Sequence, residues 1–74
     1  MTVGERIKDF LEDGGRTQKW LSRNTGISTD KLSLSLSGKR KLSFEEYELI
    51  CGALEVDTNK FIVPRVYENT HHTA

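Results

Sequence analysis

The sequence predicts an all-α fold in which five short helices pack around a single small core. Three observations lead there. Apolar residues recur three and four apart along most of the chain. Helix-starting hydroxyl residues and helix-stopping glycines alternate along its length. No period-two pattern competes: the only β-like stretch, Phe61-Ile62-Val63 with Val66-Tyr67, is interrupted by Pro64.

Thr2 and Glu5 form a capping box, and Val3, Ile7, Phe10 and Leu11 follow at helical spacing until Gly14-Gly15 ends the first helix. Thr17 caps a second, short helix reaching about Asn24, with Trp20 and Leu21 as its apolar residues, and Gly26 stops it. Ser28 caps a third, in which Leu32 and Leu36 share a face and which Gly38 closes. The connection from Thr25 to Ser28 has the length and the glycine of a helix-turn-helix. Ser43 and Glu46 make a second capping box. The fourth helix they open carries the stripe Tyr47, Ile50, Cys51 and Leu54, with Leu49 and Ala53 beside it. Glu45, Glu46 and Glu48 complement the helix dipole in its first turn. Asp57 is expected to cap a fifth, short helix containing Phe61 and Ile62 and ended by Pro64. Residues 1–64 then form one domain, and 65–74 a tail that is frayed or used in dimerisation.

A chain of 74 residues buries only about 60% of its unfolded surface, so the core is thin and leaves little room for a large substrate cleft. The single Cys51 excludes an internal disulfide and any zinc site needing two or four cysteines, and suits a reducing, cytoplasmic setting. No run of 18 apolar residues is present, and Met1 to Glu12 mixes charges into its apolar residues unlike a signal peptide, so no membrane association is expected. The net charge is zero but unevenly spread: residues 1–14 carry −2, residues 15–44 carry +6 and residues 45–74 carry −4. A neutral chain with a strongly basic middle fits a face directed at a polyanion, although a solvated charge run has the same composition.

The stretch Thr17-Gln18-Lys19-Trp20-Leu21-Ser22-Arg23-Asn24-Thr25-Gly26-Ile27-Ser28 resembles the core of the phage repressor and Cro helix-turn-helix family, often called the XRE family. Lys31-Leu32-Ser33 through Ser37-Gly38-Lys39-Arg40-Lys41, the helix from Ser43 to Leu54, and Glu55-Val56-Asp57 extend the likeness to roughly residues 3–63. It is carried by the ordered set Gln18, Leu21, Gly26, Leu32, Gly38-Lys39 and Leu54. The resemblance implies a lambda-repressor-like bundle. It also implies a phage or prophage type of transcriptional regulator that binds double-stranded DNA sequence-specifically, with a recognition helix at about 28–36 in the major groove. For Gln18 it implies a contact with the DNA backbone and with neighbouring recognition residues. The sequence departs from the family pattern in Asp30, an acid near the start of the recognition helix, and in Ser35, where an apolar core residue is usual. It also departs in Leu34, about 200° around the helix from Leu32 and Leu36.

A recognition helix needs a short polar face that reaches base edges. Ser28, Thr29, Asp30 and Lys31 supply one, and Thr29 and Ser33 lie four apart, away from Leu32. Base reading is expected from Thr29, Asp30, Lys31, Ser33 and Leu34; Asp30 suits cytosine N4 or the helix start, and Leu34 suits a thymine methyl or a protein. Phosphate contacts are expected from Thr17, Gln18, Lys19, Arg23, Lys39, Arg40 and Lys41. A single small module buries only about 600–1,000 Å² on DNA, so two copies on a pseudo-palindromic operator are expected. Phe61, Ile62, Val63, Val66 and Tyr67 are the candidate dimer contacts, with a folded-back core cover as the other reading of that segment. The alternative function is a protein-interaction module, antirepressor or antitoxin-like, on the same fold; zero net charge, Asp30 and Leu34 favour it. Cys51 reads as a buried inert thiol and His71-His72 lack metal-ligand spacing. Neither a cofactor nor a metal is expected, and no nucleophile–base or paired-carboxylate constellation suggests an enzyme.

Overall fold

Four hydroxyl side chains each start a helix. In the computed structural model, which describes residues 1–66, these helices are α1 Val3–Asp13, α2 Gln18–Thr25, α3 Thr29–Leu36 and α4 Phe44–Leu54, with no strand among the described residues. Thr2, Thr17, Ser28 and Ser43 each accept a hydrogen bond from the backbone N–H three residues on. The Thr2 and Ser43 N–H groups donate in return to the Glu5 and Glu46 carboxylates, which completes both capping boxes.

The helices converge on Ile7, Leu11, Leu21, Ile27, Leu32, Leu36, Tyr47, Ile50, Cys51, Leu54 and Phe61. α1 packs on α3, and α2 packs on both α3 and α4. The α1–α3 contact is close enough that a Cβ on Gly4 would overlap the carbonyl oxygen of Ser35 and lie 2.8 Å from its carbonyl carbon. Two backbones meet there, so glycine is the only residue that fits without moving a helix. Burial pushes the Cys51 thiol pKa up, which keeps it protonated and unreactive.

The expected fifth helix does not form. Residues 57–60 make a turn closed by a 3.0 Å bond from the Lys60 N–H to the Asp57 carbonyl. With Pro64 ahead, and the residue before it steered away from helical geometry, too few positions remain to nucleate a helix. Side chains hold the segment instead. The Tyr47 hydroxyl donates to the Thr58 carbonyl at 2.6 Å, and Arg6 Nη1 donates to the Phe61 carbonyl at 3.0 Å. Phe61 enters the core edge-on to Phe10 at 5.4 Å and to Tyr47 at 6.5 Å. This corrects one expected dimer contact: Phe61 is 3% exposed and covers its own core. Ile62, Val63 and Val66 remain exposed, and Tyr67 lies outside the described residues.

Candidate nucleic-acid interface

Only Gly26, Ile27 and Ser28 separate α2 from α3. Gly26 takes φ 79°, the left-handed conformation that an L side chain resists, and its N–H donates to the Ser22 carbonyl at 2.9 Å. The Thr25 hydroxyl donates to the Leu21 carbonyl at 2.7 Å and accepts from the Ile27 N–H at 3.2 Å. The Ser22 hydroxyl donates to the Ile27 carbonyl at 2.6 Å. With Ile27 buried, both ends of the turn are tied down and α3 is set rigidly on α2.

That rigidity presents one side of α3 outward. Thr29, Asp30, Lys31 and Ser33 are exposed, and Leu34 is 47% exposed. Leu32, Ser35 and Leu36 face inward on the same helix. Leu34 therefore points away from the core, as its angular position requires. Lys19 and Arg23 are exposed on α2, and Gln18 is half-buried at its start. Thr17 and Ser28 use their oxygens as caps and keep a hydroxyl proton to donate. Arg16 lies beside this set without having been singled out from the sequence. Its guanidinium carbon stands 4.3 Å from the Trp20 ring centroid, an i,i+4 cation–aromatic pair that the spacing alone makes readable.

The loop after α3 divides its cations. Lys39 and Lys41 are exposed. Arg40 is placed otherwise than expected for a phosphate ligand: its Nη1 donates to Ser35 Oγ at 2.9 Å and to Glu46 Oε1 at 3.1 Å, and its Nη2 to Glu46 Oε2 at 2.8 Å. It is the only ion pair among the described residues. The fork holds the Glu46 carboxyl down at about 2, helped by the Ser43 N–H at 2.9 Å, and Glu46 in turn raises the Arg40 pKa. Ser35, 1% exposed at a position expected to be apolar, is satisfied by this contact. Arg40 thus braces the end of α3 against the start of α4, with Lys39 and Lys41 on either side.

Among the described residues no group of three His, Cys, Asp or Glu side chains is placed to hold a metal, and no helix is long and apolar enough to cross a membrane. His71 and His72 lie outside those residues. No family model matches the sequence, and the searches of curated proteins and of solved structures return no significant match.

Proposed function

We propose that this protein is a sequence-specific double-stranded DNA-binding transcriptional regulator of the phage repressor and Cro kind. In this reading α2 and α3 form a helix-turn-helix and the start of α3 enters the major groove. The observation that carries it is the rigid α2–α3 pair with its outward polar face of Thr29, Asp30, Lys31 and Ser33. These side chains are short enough to bring the helix close to base edges. Lys19, Arg23, Lys39 and Lys41 neutralise phosphates on either side, the Thr17 and Ser28 hydroxyls donate to them, and Gln18 sits at the α2 N-terminus, where backbone amides favour an anion. Arg40 acts as a brace for the loop. Two copies then occupy half-sites about one helical turn apart.

Selection of duplexes from a random pool by the purified chain tests this. Enrichment of a pseudo-palindrome is expected, with affinity falling steeply as salt rises. Half-exposed Leu34 beside Asp30 favours a second reading, in which the same face docks a protein. No enrichment from the pool, with a protein complex that persists at high salt, would establish that reading instead.

A further inference from the structure

Arg16 stands in the turn between α1 and α2, and its backbone is fixed there. Gly15 takes the left-handed φ of 71° and its N–H donates to the Glu12 carbonyl at 2.9 Å. The Arg16 N–H donates to the Leu11 carbonyl at 3.0 Å. Together these bonds close the end of α1 and set where the Arg16 side chain departs. The side chain is held as well. Its guanidinium lies over the Trp20 ring, and Trp20 is itself half-buried against the core. Two acids, Glu12 and Asp13, precede Arg16 by four and three residues, yet it forms an ion pair with neither. Helix stability does not account for this exposed cation, because the start of α2 is the positive end of its dipole. A guanidinium stacked by one face on a ring keeps the N–H groups around its edge for an acceptor in its own plane, and a phosphate presents two oxygens in that geometry.

We propose that Arg16 is a further phosphate ligand of the DNA-facing surface and that Trp20 is its positioning residue. Arg16 directly precedes Thr17, Gln18 and Lys19, so it extends the phosphate contacts of α2 into the α1–α2 turn, outside the helix-turn-helix itself. The core fixes the ring and the ring fixes the guanidinium, which leaves less side-chain freedom to lose on binding. The inference rests on the reading of α2 and α3 as a DNA-binding pair. A phosphate contact does not depend on base sequence, however, so a duplex of arbitrary sequence tests it.

The experiment is a salt titration of the full chain on such a duplex. Arg16→Ala should weaken binding about tenfold and lower the salt slope by about 1, with a melting temperature close to the parent's. Arg16→Lys should keep the slope and still bind less tightly, because the charge remains while the planar fork is lost. Trp20→Leu should also keep the slope and weaken binding about threefold, the effect of losing one exposed cation–aromatic contact. Trp20→Phe, which returns a ring, should recover most of that loss. An unchanged slope in Arg16→Ala, beside a steep one in the parent, overturns the proposal and leaves the DNA reading standing. A parent chain without salt-dependent duplex binding overturns both. Trp20→Leu binding as tightly as the parent overturns the positioning role of Trp20.

Discussion

Arg40 and Glu46 tie stability to pH. The Glu46 carboxyl titrates at about 2 in the fold against an ordinary 4.5, so the unfolded chain binds the proton more readily. The stabilisation is complete above the ordinary value and is lost as pH falls towards about 2. Glu46→Gln should therefore flatten the acid limb of the melting-temperature profile across that window and lower the melting temperature at neutral pH. A variant profile running parallel to the parent's there contradicts the assignment. Arg40 also shows where single residues escape sequence reading. In the run Lys39-Arg40-Lys41 the three cations look equivalent. Only the fold brings Glu46 and Ser35 to the middle one. Gly4 escapes for a similar reason: in sequence it is a poor residue inside a helix, and its cause is a carbonyl 31 positions away.

At the scale of the element, the four helices were legible because each is bracketed by its own chemistry. A hydroxyl cap opens each one, and glycine marks the end of three, at Gly14, Gly26 or one residue past Ser37; the fourth ends on the left-handed Glu55, which nothing in the sequence announces. Such signals are local and need no partner. The segment after α4 had an aspartate and a proline at suitable spacing, yet Tyr47, Arg6 and the Phe10 ring decide its path. Those residues belong to other elements, so no local pattern announces them. The two sides of α3 make separate predictions. Leu32→Ala should cost about 2–5 kcal/mol of folding free energy, as a fully buried leucine. Thr29→Ala should leave melting nearly unchanged and alter base preference, by about 1–3 kcal/mol for a lost good contact. Calorimetry paired with a binding-preference measurement decides it; if Thr29→Ala melts early and keeps its preference, the register assigned to α3 is wrong.

For the whole molecule, the division of charge is the quantity that binding to a polyanion should report. Replacing Lys39 and Lys41 together with alanine should weaken binding alike on all duplexes and reduce the salt slope by about 2. Arg40→Ala should instead act mainly through stability, because its guanidinium is occupied by Glu46 and Ser35. An unchanged slope in the double lysine variant would remove that loop from the interface. The Phe61 segment has a different consequence. It is attached by two hydrogen bonds from the Tyr47 and Arg6 side chains and by the Phe61 ring, with no helical ladder of its own. The bundle therefore resembles a vessel closed by a stopper, and its cheapest excursion from the native state is withdrawal of that stopper with α1 to α4 intact. The Lys60 amide should exchange with solvent well before those in the middle of α1 and α4. Equal protection at all three places would mean that the molecule opens only as a unit.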